Sequence, residues 1–298
     1  MDSPKRGTAF LDKAALCVSM MFMSVSVPIN NDRFPPIALP APPPRNGSQA
    51  EDSAAEAVQP HLLESGTITH DLIVKSIIFD DQTIRKGFVR KVFGILMVQL
   101  LFTCAVMATF VYHGPTKQFV RENFVVFFLA MIVNIIVLIM IVCLESVRRK
   151  HPVNLICLAI FTFTMSLLLG AASSLMDSNV VLSAVAITTV LVTALCIYAV
   201  QTKYDYTAAG GVAITFVMIL LVLSVCSFSM PGFVDSLPIS CLCAVIGCFF
   251  LIYDMQSIVG GNRAEQLDPE EYVFAALTLY VDVVRIFIYV LRIVQKFV

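Results

Sequence analysis

LYVDVVRIFIYVL, Leu279–Leu291, has the composition of a membrane-helix interior, yet it holds Asp282 and, three residues later, Arg285. A charge at the centre of a lone membrane helix costs from about 2.5 to well over 10 kcal/mol. A span that carries both signs needs partners for them inside a bundle. The partners within reach are Arg285 itself, on the same helix face as Asp282 at i, i+3, and any acid on a neighbouring span.

The rest of the chain agrees with a membrane setting. Of its 298 residues, 58% are hydrophobic and only 14% charged, and the mean hydropathy is +0.85. That is more apolar surface than one aqueous core can hold. The net charge of −1 provides no basic field, so nucleic acid is not an expected partner. Trp is absent, which leaves interfacial anchoring to Tyr, Lys and Arg. Of the nine Cys, eight (Cys104, Cys143, Cys157, Cys196, Cys226, Cys241, Cys243 and Cys248) lie in apolar runs. They form no CxxC pair, and Cys241-x-Cys243 is too short for zinc. They read as small hydrophobes between helices. No cofactor is implied.

Residues 1–80 differ in kind. RFPPIALPAPPPRNGSQAEDSAAEA lacks apolar periodicity and reads as a disordered cytosolic tail rich in Pro, Ala and Ser. Within it, Ala14–Val27 resembles a signal-peptide core but lacks a clean cleavage site and is too short to span. It reads as part of an uncleaved tail. Residues 81–298 form the membrane domain. Seven apolar runs follow one another: Phe88–Tyr112, Phe124–Leu144, Val153–Leu175, Val180–Val200, Ala209–Phe228, Ile239–Ile258 and Val273–Val294. Each approaches the roughly 20 residues that cover about 30 Å of hydrocarbon. The fold class is an all-α polytopic membrane protein. Arg85, Lys86, Arg90, Lys91, Arg148, Arg149, Lys150, Lys203 and Arg263 fall on one side of these spans, and Lys117, Arg121 and Lys296 on the other. The positive-inside rule then puts the N-terminus in the cytosol, where the sequon at Asn46 stays bare.

Asp282 has a second acid to meet. The sixth span ends CFFLIYDMQSIVGG, with Asp254 about 6 Å from the cytosolic side, whereas Asp282 lies about 16 Å in. Tilt and uncertain boundaries can close that gap. The two spans are antiparallel neighbours, so the carboxylates are expected to meet. Two carboxylates in contact at low dielectric cannot both ionise cheaply. Such a pair takes up protons readily, and when ionised it attracts a hard cation such as Ca²⁺. The plainer reading makes Asp254 interfacial and Asp282 a structural partner of Arg285. At the end of the second span, Glu145 reads as a local ion pair with Arg148, Arg149 or Lys150. The functional alternative makes these four a gate whose basic members reach the aspartates. EQLDPEEY, Glu265–Tyr272, reads as a solvated loop in which Asp268 caps the last helix.

Several stretches carry a resemblance. IRKGFVRKVFGILMVQLLFT (Ile84–Thr103), RRKHPVNLICLAIFTF (Arg148–Phe163), TKYDYT (Thr202–Thr207), IYDMQSIVGG (Ile252–Gly261) and EEYVFAALTLYVDVV (Glu270–Val284) occur in order over about residues 80–298. As a set they resemble the Lifeguard branch of the Bax-inhibitor family. The resemblance implies seven helices with the last at the centre, and residence in endoplasmic reticulum or Golgi membranes. It implies Ca²⁺ leak from stores, pH dependence through an aspartate pair at Asp254 and Asp282, and suppression of cell death. The latch arginine of bacterial relatives falls somewhere in Arg148–Lys150. One residue departs from the pattern. Lifeguard proteins read Asp-Ile-Ile-Asn where this chain reads DVVR, so Arg285 places a fixed cation one turn from Asp282.

Two functions compete on this reading. One is a Ca²⁺ leak channel or regulator with a proton-sensitive di-aspartyl site, with Ca²⁺ as transported ion and the bilayer as solvent. The other is a non-conducting protein that binds cell-death regulators or other membrane proteins. An enzyme is not expected: intramembrane aspartyl proteases carry Gly-x-Gly-Asp at the second acid, whereas Leu279-Tyr280-Val281 precedes Asp282. A G-protein-coupled receptor is excluded by the missing Asp-Arg-Tyr and Asn-Pro-x-x-Tyr signatures.

Overall fold

A computed structural model of the chain describes residues 60–229, 236–260, 267 and 269–297. The elements are α1 (Pro60–Tyr112), α2 (Gly114–Glu122), α3 (Phe124–Cys143), α4 (Glu145–Arg149), α5 (Val153–Ser174), α6 (Ser178–Gln201), α7 (Gly210–Ser229), α8 (Leu237–Val259) and α9 (Tyr272–Gln295). Short 3₁₀ turns, Thr207–Ala209 and Pro269–Glu271, precede α7 and α9.

Among the described residues, six helical segments are long and apolar enough to cross a membrane: Thr83–Tyr112 of α1, Val125–Cys143 of α3, and α5, α6, α8 and α9. A seventh apolar segment, Thr207–Leu223, is shorter and runs from the 3₁₀ turn into α7. The chain is an all-α polytopic membrane protein. Its span boundaries follow the punctuation in the sequence. Pro115 and Pro238 sit in the first turns of α2 and α8, where a missing N–H costs nothing. Gly260, at φ +65, ends α8.

The N-terminal region departs from expectation. Residues 60–80 are helical, continuous with the first span, where the sequence reading put disordered tail. Ile73 and Ile77, and Val74 and Ile78, fall four residues apart, about one helical turn, a periodicity that the Pro-rich composition upstream obscures. The chain divides into two units between Ile84 and Arg85, and the bundle is the one that begins at Arg85. Residues 1–59, with Ala14–Val27 and Asn46, lie outside the described residues, as do Glu265 and Asp268.

The last helix is the centre. α9 packs on α8, α6 and α5. Of its most apolar window 89% is buried, against 22% for α6. A span that carries Asp282 and Arg285 must keep them from lipid, and α9 is enclosed by other helices. The outer helices turn Val98, Leu101, Val125, Ile136, Ile156, Val190 and Val245 outward, an apolar surface suited to lipid. Inside, helices are joined by hydrogen bonds as well as by packing. Gln99 Nε2 donates to Thr162 Oγ1 (2.8 Å), and the Thr103 hydroxyl meets those of Ser166 (3.0 Å) and Tyr280 (2.9 Å), tying α1 to α5 and α9. Asn134 Nδ2 donates to Thr164 Oγ1 (2.7 Å) and to the Phe161 carbonyl (3.0 Å), tying α3 to α5.

Candidate functional site

The site lies where α8 meets α9. Gly247 allows the close approach: a Cβ there would stand 3.2 Å from Ile286 Cγ1 and 3.4 Å from Arg285 Cδ. Arg285 is the largest fully buried side chain among the described residues. Its guanidinium carbon lies 5.1 Å from the centre of the Phe250 ring, a cation–π contact in a water-poor setting. Its Nη1 stands 3.7 Å from Asp282 Oδ1. That separation is a charge contact, too long for a hydrogen bond. Asp282 is buried, and its second oxygen, Oδ2, accepts no hydrogen bond. Asp254, half-buried near the end of α8, brings its carboxyl up to that of Asp282 and into the field of Arg285.

Two carboxyls and one guanidinium can trade charge in several ways. With one proton between the carboxyls, the group is neutral overall. With both carboxyls ionised, it carries a net single negative charge and the oxygens repel. The ionised pair provides hard oxygen ligands of the kind that bind Ca²⁺, and Arg285 already stands where such a cation would neutralise Asp282. Among the described residues no three His, Cys, Asp or Glu side chains cluster as a metal site.

Of the four gate candidates, the side chains of Arg148 and Lys150 are described. Arg148 does not reach the aspartates. Its Nη2 donates to Glu271 Oε1 at 2.9 Å, both side chains are buried, and its guanidinium carbon lies 5.2 Å from the Phe274 ring centre. Glu271 precedes Asp282 by eleven residues, about 16 Å along a helix, so Arg148 cannot serve both. Lys150 is exposed after α4, and Glu145 and Arg149 belong to α4, their side chains outside the described residues. The Arg148–Glu271 pair belongs to a basic closure at this end of the bundle. Lys91 Nζ sits 3.3 Å above the Tyr272 ring centre, and Arg85 Nη1 donates to the Ile258 carbonyl (3.2 Å) in the last turn of α8. Three cations thus brace the two ends of the α8–α9 connection.

Gln256, two residues beyond Asp254, was not singled out by the sequence reading. Buried, it donates from Nε2 to the Tyr204 carbonyl (2.9 Å) and accepts at Oε1 from the Tyr206 N–H (2.8 Å). Two of the quoted stretches, TKYDYT and IYDMQSIVGG, are therefore one structural unit. The hydroxyl cluster of Thr103, Ser166 and Tyr280 was missed as well. The available signal was a polar residue in each of three apolar runs.

Residues 85–297 match the family model described as inhibitor of apoptosis-promoting Bax1. The chain belongs to the Bax-inhibitor family. Human protein lifeguard 3 is 35% identical to it over 218 residues, 72% of this chain and 70% of the human protein. Mouse protein lifeguard 3 is 33% identical over 72% of this chain and 71% of its own length. The Golgi anti-apoptotic protein of vaccinia virus (strain Lister) is 34% identical over 71% of this chain and 86% of its own length. The Bax-inhibitor match begins at Arg85, where the bundle begins, and includes the aspartates, Arg285 and the basic closure.

Proposed function

We propose that this Bax-inhibitor protein suppresses cell death from an endomembrane by setting Ca²⁺ leak through the Asp254–Asp282 site. In this reading Arg285 is a built-in cation that keeps the leak low. Support for the cell-death role comes from the family description and from the viral relative named as anti-apoptotic. That relative's name also favours Golgi or a neighbouring membrane, with the basic end of the bundle facing the cytosol. The observation that carries the ionic part is the contact of Arg285 with Asp282 at 3.7 Å, with the Asp254 carboxyl alongside. Protons and Ca²⁺ compete for the same carboxylate oxygens. Acidification therefore lowers the site's negative charge and its hold on Ca²⁺. Arg285 competes as well, but it is covalently tethered and always charged.

The experiment is Ca²⁺ efflux from vesicles reconstituted with the purified native chain or with Asp254→Asn. A native leak above protein-free vesicles that falls in the variant supports the proposal. Equal flux from both removes the site from the mechanism. The buried guanidinium also favours a second reading, a non-conducting member that acts by binding other membrane proteins. Cell-death suppression that persists with no efflux from either the native chain or Arg285→Asn would select it.

A further inference from the structure

The α6–α7 connection carries chemistry that the ionic site does not use. With 24 residues, α6 is about 36 Å long against about 30 Å of hydrocarbon, long enough to span, and it ends at the polar Gln201. The chain continues there as YAVQTKYDYT, Tyr198–Thr207. Three of the chain's eight Tyr (Tyr198, Tyr204 and Tyr206) fall in this short interval, and there is no Trp anywhere to share an interfacial role. Tyr198 and Tyr206 join hydroxyl to hydroxyl at 2.8 Å, and the Tyr204 ring leans on that of Tyr206 with centres 5.6 Å apart.

The loop is held in a fixed shape. Gln256 bonds the backbone on both sides of Asp205, and Asp205 Oδ1 accepts from the N–H and hydroxyl of Thr207. The Tyr206 ring meets Phe249 edge-on at 6.2 Å, and Phe249 in turn meets Phe216 at 4.9 Å. A frame built on α7 and α8 thus presents Lys203 and Tyr204 outward. Tyr204 is 74% exposed, and Lys203 is exposed beside it. A large amphipathic ring held rigidly in water gains nothing from that rigidity. The same ring at a membrane surface gains an apolar contact below and a polar one above. The flanking faces agree, because Ile197 and Val200 of α6 and Val212 and Ile214 of α7 are exposed and apolar.

We propose that Lys203 and Tyr204 form a docking surface for the phospholipid headgroup layer. The Tyr204 ring lies at the depth of the glycerol backbone, and the Lys203 ammonium rests on lipid phosphate. Gln256 is the positioning residue that holds them there.

The absence of Trp makes the test clean, since Tyr204→Trp creates a single emitter in the full chain. The variant is reconstituted in phosphatidylcholine vesicles, with or without phosphatidylserine. It is then challenged with nitroxide on the lipid headgroup or with iodide in the water. The proposal expects blue-shifted emission, quenched several-fold more by the lipid nitroxide than by iodide. Adding Lys203→Gln should weaken quenching by a nitroxide-labelled phosphatidylserine. Adding Gln256→Leu should raise iodide quenching as the loop is released. Emission that iodide quenches freely and lipid nitroxide does not would overturn the proposal and leave this surface to a soluble protein. Lipid quenching unchanged by Lys203→Gln would remove the phosphate contact from it. None of these readouts depends on Ca²⁺ flux.

Discussion

Asp282 and Arg285 should respond unequally to removal, because one can shed its charge and the other cannot. Two unit charges 3.7 Å apart attract by roughly 4.5 kcal/mol at an effective dielectric of 20. Asp282→Asn removes that attraction and leaves a buried guanidinium that has no way to neutralise itself. Breaking a buried pair in this way costs about 3–5 kcal/mol. The neighbouring Asp254 supplies some compensation, so the lower end, about 3 kcal/mol, is expected. For a domain of this size that is a fall in Tm of roughly 10 °C. Arg285→Met leaves two carboxyls that can take up a proton, so it should cost less than about 1.5 kcal/mol. Asp282→Asn/Arg285→Met should recover most of the loss from Asp282→Asn alone. Thermal unfolding of the four proteins in one detergent closes the cycle. If Asp282→Asn alone leaves Tm unchanged, or the double variant is no better than Asp282→Asn, the pair is not what holds Arg285 in the core.

Glu271→Gln should strand the buried Arg148 and lower Tm by a similar amount, since it breaks a 2.9 Å pair; Arg148→Met/Glu271→Gln should restore much of it. Gly260→Ala combines a backbone conformation at φ +65 that Ala rarely adopts with a clash between its Cβ and the Arg85 guanidinium. A loss of about 1–3 kcal/mol is expected from the backbone alone, and Arg85→Ala should relieve only the clash, which thermal unfolding of the three variants separates. A tag placed before residue 60 should be reached by antibody when only the plasma membrane is permeabilised; glycan on Asn46 would reverse the topology.

The sequence made the membrane domain legible because apolar runs of near-span length, cut by Gly and Pro, depend on local composition alone. Hence α3, α5 and α8 begin and end within two residues of where the hydropathy put them. The helix before residue 83 was hidden because its apolar residues are sparse and follow a Pro-rich stretch. Asp254 and Asp282 stood out as acids in apolar runs, and antiparallel neighbours were enough to suggest that they meet. The role of Arg148 was not legible. Its partner, Glu271, is 123 residues away, and nearness in sequence pointed instead to Glu145. Gln256 was obscured for a related reason. Its task is to bond a loop 50 residues earlier, and a Gln near a helix end looks like an interfacial residue.

The central claim is that Arg285 acts as a tethered cation on the aspartate pair. The most direct measurement is reconstituted Ca²⁺ efflux of the native chain and of Arg285→Asn, compared between about pH 6 and 8, a range that a proton-sharing carboxyl pair can reach. The account predicts a larger leak for Arg285→Asn at the upper end of that range. It also predicts that this leak falls more steeply than the native one as the pH drops, because protons alone then oppose Ca²⁺ at Asp254 and Asp282. Superimposable native and variant profiles would contradict it.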